Sequence, residues 1–265
     1  MAEQWPVGNA AVAVVDPGGA VLGSSGAMDR EFPLASVTKL LTAYATLIAV
    51  EEGAVEWDQP AGPEGSTVRH LAAHASGLAY NEHRAMAAPG TRRMYSNAGF
   101  EVLADTVHAA CDIPFVRYLS EAVFEPLGMS SSRLVGSAAS KAVSTCADLV
   151  RFGAELQAPT LVSAQTLAEA TSVAFPGLTG VLPGYGHQKP NDWGLGFEIR
   201  DHKSPHWTGV NSSPETFGHF GQAGTFLWVD PAAKLAAVVL TDRAFGDWAI
   251  EAWPAFTDAV LAEAR

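Results

Sequence analysis

Basic residues are scarce in this chain: 16 lysines and arginines stand against 28 aspartates and glutamates over 265 residues, a formal net charge of −12. Nucleic acid and anionic membrane surfaces call for a basic face, so that balance argues against both as partners. Cysteine is nearly missing too. Cys111 and Cys146 are the two present, and they show neither metal-ligand spacing nor a disulfide pattern, which leaves small buried residues as their reading. No stretch is both long and apolar enough to cross a bilayer. The start Met1-Ala2-Glu3-Gln4-Trp5-Pro6 has no basic region leading into an apolar one, so the expectation is a cytoplasmic protein with no membrane association. Internal repeats and low-complexity tracts are absent, which excludes a solenoid. A Gly-x-Ser-x-Gly elbow is absent as well, which removes the usual sign of a Ser-His-Asp triad on an α/β sheet. His70 and His74, four apart, could share a helix face as zinc ligands do, but no glutamate follows His70 and no third ligand is evident. Helix packing and capping is the expected job of that pair, and neither metal nor cofactor is expected.

What is there fits a large soluble core. Ala10-Ala11-Val12-Ala13-Val14-Val15 reads as a buried strand, Asp16-Pro17-Gly18-Gly19 as its turn and Ala20-Val21-Leu22-Gly23 as the return. The run from Leu40 to Ile48 reads as a buried helix ending near Gly53, with Pro33 shortly before it. Asp58 to Ser66, rich in Pro and Gly, marks a crossing into helices near Val68–Ala73, Gly99–Ala110, Phe115–Val123, Cys146–Leu156 and Ser163–Thr171. Phe175 to Pro190 leads back. Trp193 to Ile199, Thr225 to Val229 and Leu235 to Leu240 then read as antiparallel strands, closed by a helix from about Trp248 to Ala264. The expected architecture is α+β: an antiparallel sheet flanked by helices, built from residues 1–60 and 187–265, with a helical lobe over 61–186 and the active site between the lobes.

Three short motifs carry chemistry. In Ser36-Val37-Thr38-Lys39 a helix would put Ser36 and Lys39 on one face. A serine hydroxyl needs a partner to take its proton, and a lysine of ordinary pKa about 10.4 needs desolvation to do that near neutrality; the apolar run behind Lys39 offers it. Ser36 is expected in the first helical turn, where free N–H groups favour a developing alkoxide. Tyr95-Ser96-Asn97 adds a phenol able to shuttle a proton and an amide able to hold a substrate carbonyl, delivered by the turn Ala88 to Met94. In Gly218-His219-Phe220-Gly221-Gln222 the glycines run into a strand, where a ligand can approach the backbone and free N–H groups can face an oxyanion.

Together these motifs resemble the serine β-lactamase-related hydrolases of the class C type, the superfamily that also holds D-alanyl-D-alanine carboxypeptidases and family VIII esterases. The likeness runs through Phe32-Pro33-Leu34-Ala35-Ser36-Val37-Thr38-Lys39, Thr67 to Leu78, Pro89-Gly90, Tyr95 to Phe100, Pro126-Leu127-Gly128-Met129 and Ser144 to Leu149 to the glycine-rich strand. It implies a β-lactamase/transpeptidase-like fold, Ser36 as the acylated nucleophile, Lys39 as its proton partner and Tyr95 as general base or acid. Asn97 would bind the acyl side chain, and His219 with Gly221 and Gln222 would form the substrate-binding strand. Backbone N–H groups of Ser36 and Gln222 would make the oxyanion hole.

The chain departs from that pattern where β-lactam-processing members carry Lys-Thr-Gly and a following hydroxyl. Here the residues are His219-Phe220-Gly221-Gln222, so a permanent cation for a substrate carboxylate is missing, histidine being mostly neutral at its ordinary pKa of about 6.5. The leading expectation is a hydrolase of small-molecule esters or amides acting through acyl-Ser36, most of all an esterase. A D-alanyl-D-alanine carboxypeptidase, D-aminopeptidase or weak class C-like β-lactamase is the second reading, and a catalytically silent scaffold the third. Arg243 could approach a substrate carboxylate or be a solvated strand-end residue; Trp193, Trp207 and Tyr185 could line the acyl pocket or belong to the core.

Overall fold

The computed structural model describes residues 2–263. The chain enters through β1 (Ala10–Val15), β2 (Val21–Gly26) and β3 (Glu31–Pro33), then α1 (Thr38–Glu51). The segment that follows holds α2 (Val68–Ala72), α3 (Asn97–Cys111), α4 (Phe115–Leu119), β4 (Arg133–Leu134), β5 (Ala142–Thr145), α5 (Cys146–Glu155) and α6 (Ala164–Ala170). The hairpin β6 (Gly180–Leu182) and β7 (Gly186–Gln188) leads to β8 (Glu198–Ile199), β9 (Phe217–Gly221), β10 (Thr225–Asp230), β11 (Leu235–Thr241) and α7 (Asp247–Glu263). The main sheet is antiparallel throughout, in the order β2-β1-β11-β10-β9-β8. The first and last stretches of the chain therefore share one sheet, and β1 finds its inner partner in the last strand, Ala10 opposite Thr241 and Val15 opposite Ala236.

Strand alternation divides the core. Phe226 and Trp228 of β10 join Val12, Val239, Trp253 and Phe256 in a cluster under α7, while Leu227 and Val229 join the larger cluster made with α1 to α5. The same alternation sets the site, since Phe220 enters the α7 cluster and its neighbour His219 faces the helices with Phe217. Both faces of β10 and β11 are buried, which is why these strands read as continuous apolar runs rather than as alternating ones.

Several sequence expectations shift in detail. Ser36 lies in a 3₁₀ turn, Ala35–Val37, that runs into α1, and not in the first α-helical turn. Of the stretch Trp193–Ile199 only Glu198–Ile199 is strand, because Gly196 takes a φ of +96° and sits so close to α1 that a Cβ there would lie 2.1 Å from that of Ala43. The inserted segment holds short strands as well as helices: β5 pairs with β3 from the first part of the chain and with β4. The helix expected over Phe115–Val123 is α4 continued by a wider π turn, Ser120–Phe124. The expected end of the last helix, Ala264, lies outside the described residues. No described helix is long and apolar enough to cross a membrane.

Candidate active site

Three segments meet at one end of β9. The Ser36 turn is stapled to the sheet: Thr225 donates its hydroxyl to the Leu34 carbonyl at 2.8 Å, and Gly221 packs so tightly that a Cβ would stand 2.4 Å from the same oxygen. Ala35 is held at φ +45°, a left-handed setting that costs an alanine about 1–2 kcal/mol and that only a well-determined surrounding maintains. β8 pairs with Phe217 and Gly218 alone. The outer edge of His219 to Gly221 is therefore left unpaired by it, and Gln222 turns out beside Ser36 in the lining of one cleft.

Tyr95 is positioned from the other side. Ser96 caps α3, accepting the Gly99 N–H at 2.9 Å and donating to the Ala79 carbonyl at 2.7 Å. Its own N–H donates to Nδ1 of the buried His74 at 3.1 Å. His70 serves α2 in turn, its Nδ1 2.9 Å from Thr67 Oγ1 and its ring stacked on Phe175 at 4.4 Å. Arg93, two residues before Tyr95 and 2 % exposed, donates to four backbone carbonyls: Asn191 at 3.0 Å, Ala73 at 2.6 Å, Ala174 at 2.7 Å and Phe175 at 3.1 Å. The loop that presents Tyr95 is thus tied to three separate chain segments.

Lys39 is wholly buried. Its Nζ donates to Asn97 Oδ1 at 2.6 Å and to the Ala139 carbonyl at 2.9 Å, lies 3.5 Å from Ser36 Oγ, and sits 4.6 Å from the centroid of the Tyr95 ring. Loss of water pushes its pKa well below the usual lysine range, only partly opposed by the negative charge of Glu101. The desolvation expected of the apolar run behind Lys39 is present. Tyr95 Oη lies 3.3 Å from His219 Nε2. Burial raises the phenol pKa above its ordinary value, with the Ser36 hydroxyl partly offsetting it. His219 is held at a pKa of about 3, by burial first and then by the Lys39 charge.

Asn97 has both ends of its amide engaged, Oδ1 with Lys39 and Nδ2 with Asn81 Oδ1 at 2.8 Å, and it is not among the residues that line the cleft. The cleft is tight, with a cavity of about 30 Å³, far below the usual size of a ligand site. Ser36, Tyr95, His219 and Gln222 line it together with an apolar wall of Trp193, Trp207, Phe220, Leu182, Pro183 and Tyr80. Among the described lining residues there is no lysine or arginine. One carboxylate is present, Glu198, which takes the Trp207 indole N–H at 2.7 Å, His206 Nε2 at 2.9 Å and the Lys203 ammonium. Its burial is outweighed by His206 and Lys203, which hold it at a pKa of about 2. Arg243 points elsewhere, its guanidinium donating to the Pro6 carbonyl.

Sequence reading missed Arg93, Asn81, Tyr80, the Ala139 carbonyl and the Glu198 cluster. Arg93 had one signal, its place between the Pro89-Gly90 turn and Tyr95. The Ala139 carbonyl had none, since a backbone acceptor carries no residue signature.

The model of the Beta-lactamase family matches residues 2–260. The crystal structure of a beta-lactamase from Mycobacterium bovis is 62% identical, covering 99% of this chain and 97% of that one with a TM-score of 0.98. EstCE1, described as a hydrolase with promiscuous acyltransferase activity, shares the fold at 16% identity, with a TM-score of 0.77 over 99% of this chain and 94% of that one. The D-alanyl-D-alanine-carboxypeptidase/endopeptidase AmpH of Escherichia coli (strain K12) is 27% identical over 142 residues, 40% of this chain and 37% of that protein's length.

Proposed function

Since this chain belongs to the Beta-lactamase family, whose members are serine hydrolases, we propose that it hydrolyses small, uncharged esters through an acyl-Ser36 intermediate. The observation that carries this reading is the lining of the cleft: Ser36 and Tyr95 at one end, an aromatic wall, and, among the described lining residues, no lysine or arginine to meet a substrate carboxylate. A carboxylate moved from water into such a cleft without a partner is strongly disfavoured. An uncharged acyl chain gains instead, at about 25 cal/mol per Å² of apolar surface removed from water.

In this reading Ser36 Oγ attacks the ester carbonyl while the Lys39 amine takes its proton, and Tyr95 supplies a proton to the departing alcohol oxygen. Backbone N–H groups of Ser36 and Gln222 hold the oxyanion, a contribution of about a hundred- to a thousandfold for one such donor. Asn97 acts through Lys39, to which it gives an acceptor. Residues 61–186 serve as the lobe that brings in Tyr95 and Asn97. The partner is a small molecule.

A second reading, β-lactam or D-alanyl-D-alanine chemistry, is supported by the names of the Mycobacterium bovis and Escherichia coli relatives. One experiment separates the two: intact-mass analysis of wild type and Ser36→Ala after exposure to p-nitrophenyl esters, a fluorophosphonate and a penicillin, with turnover followed in parallel. Ser36-dependent labelling with ester turnover and no penicillin adduct is the expected result. A stable or hydrolysed penicillin adduct moves the assignment to the second reading, and no Ser36-dependent adduct with any probe overturns both.

A further inference from the structure

His219 stands where β-lactam-processing relatives carry lysine, and the structure fixes which of its nitrogens bears the proton. Nδ1 lies 2.6 Å from the Phe220 carbonyl. A carbonyl oxygen only accepts, so Nδ1 is the protonated nitrogen of a neutral ring and Nε2 offers a lone pair. The group facing Nε2 is the Tyr95 hydroxyl at 3.3 Å, which must then be the donor. A lysine ammonium has three N–H groups and no lone pair, so at the same place it would donate to the tyrosine oxygen instead. The direction of this hydrogen bond is thus opposite to the one a lysine would impose.

We propose that His219, its proton held on Nδ1 by the Phe220 carbonyl, keeps Tyr95 a neutral phenol donating away from Ser36, so that the Lys39 amine is the group that draws the Ser36 proton. The geometry at Lys39 agrees. In the amine form, with its two N–H groups given to Asn97 and Ala139, the lone pair is left to face Ser36 Oγ at 3.5 Å. As Oγ bonds to the acyl carbon its proton passes to Lys39; when the carbon–oxygen bond to the alcohol breaks, Tyr95 turns its hydroxyl to that oxygen and gives it the proton. The Lys39 ammonium then restores the phenol, so the alcohol leaves with the Tyr95 proton, the Ser36 proton ends on Tyr95, and Lys39 and Tyr95 regain their starting protonation with Ser36 acylated. In deacylation a water attacks the acyl carbon as its proton passes to Lys39, and Tyr95 returns a proton to Ser36 Oγ as the acyl–oxygen bond breaks. His219 is a positioning residue in this scheme: it acts through Tyr95. The direction of the burial effects on Tyr95 and Lys39 supports the assignment.

The titratable groups around the pair are few. Lys39 lies over the Tyr95 ring, while His74 and Tyr80 pack on that ring at 4.5 and 6.0 Å. Glu198 and Lys39 act on His219 through space. His74 is itself neutral in this setting, since burial, Lys39, His219 and Arg93 all disfavour its cation.

The inference rests on the hydrolase reading for its consequence, but its first test needs no turnover. ¹⁵N NMR of histidine-labelled protein, assigned with His219→Gln and, should that variant not fold, with Tyr95→Phe, is expected to show His219 protonated on Nδ1 and bare on Nε2 at neutral pH. Ultraviolet titration against a Tyr95→Phe blank should show no Tyr95 phenolate near neutrality in wild type, and a phenolate appearing at lower pH in His219→Lys. In kinetics, His219→Gln, whose side-chain oxygen can still accept from Tyr95, should stay within about tenfold of wild-type kcat/KM, the scale of one hydrogen bond. His219→Lys should shift the pH profile. A His219 carrying its proton on Nε2, or a wild-type Tyr95 that ionises at or below the ordinary tyrosine range, overturns the proposal even if ester turnover through Ser36 is intact.

Discussion

Replacing Arg93 by methionine removes the tie between the Tyr95 loop and its surroundings, and the structure allows the outcome to be worked through. The guanidinium makes four hydrogen bonds, all to backbone carbonyls and none to a carboxylate. A buried acceptor left without a donor costs about 1–3 kcal/mol, so four orphaned carbonyls at the low middle of that range amount to about 6 kcal/mol. Against this stands a relief. Burial lowers the Arg93 pKa to about 10, with Asp192 partly opposing; at about 1.4 kcal/mol per pKa unit, the native state loses about 3 kcal/mol by holding that charge away from water. Arg93→Met should therefore destabilise the protein by about 3 kcal/mol, a fall in Tm of roughly 6–12 °C for a domain of this size. Arg93→Lys, a compact cation that cannot span three segments at once, should recover only part of it and should lower kcat, because Tyr95 stands two residues away. Thermal melts and urea unfolding of the three proteins, with ester kinetics, measure this. A loss below about 1 kcal/mol in Arg93→Met would refute the reasoning, since it would mean that water or neighbouring groups satisfy those carbonyls unaided.

Tyr95→Phe keeps the ring against Lys39 and His74 but removes the proton carrier, so kcat for ester hydrolysis should drop about a hundred- to ten-thousandfold with Tm little changed, as steady-state kinetics and a melt will show. Lys39 should leave a pH signature in stability: its folded pKa is depressed, the unfolded chain binds the extra proton between that value and about 10.4, and stability should rise with pH across the window. In Lys39→Met that slope should be missing, which urea unfolding at several pH values will test, and acylation should rise with pH in wild type as the amine form grows. Gly221→Ala would drive a Cβ to within 2.4 Å of the Leu34 carbonyl, so fluorophosphonate labelling of Ser36 should slow by at least tenfold through displacement of the Ser36 turn; unchanged labelling would count against the proposed close seat.

Much of the framework was legible because burial imposes patterns that single residues cannot hide. The six-residue apolar run Ala10–Val15 is β1 to the residue, and the runs read over Thr225–Val229 and Leu235–Leu240 fall one residue short of the strands found. β9 was harder, for Gly218 and Gly221 lack the side chains by which a strand is recognised, although Gly218 needs none because a Cβ there would meet the Leu227 carbonyl at 2.1 Å. The strand read from Trp193 shrank to two residues for a similar reason, the seat of Gly196 on α1. At the site, Ser36, Lys39, Tyr95, Asn97 and His219 could be picked out by residue type and come together in space. What sequence did not carry was the set of directions among them: that Asn97 turns to Lys39, that Arg93 gathers carbonyls, and that Phe220 sets the proton on His219. The last two depend on backbone oxygens, which every residue has alike, and the first on a side-chain amide that could have turned either way.

The pairing of β1 with β11 has a consequence in time. A ribosome delivers Ser36 early, but the strand beside the Ser36 turn is residues 217–221, and the sheet that holds it gains the inner neighbour of β1 only when residues 235–241 emerge. Contacts between the two ends of a chain are the last that synthesis permits and are slow to form. The proposed nucleophile is thus made long before it is armed, and a fluorophosphonate added to stalled nascent chains of increasing length should remain silent until β11 has cleared the tunnel, making Ser36 labelling a clock for the completion of this fold.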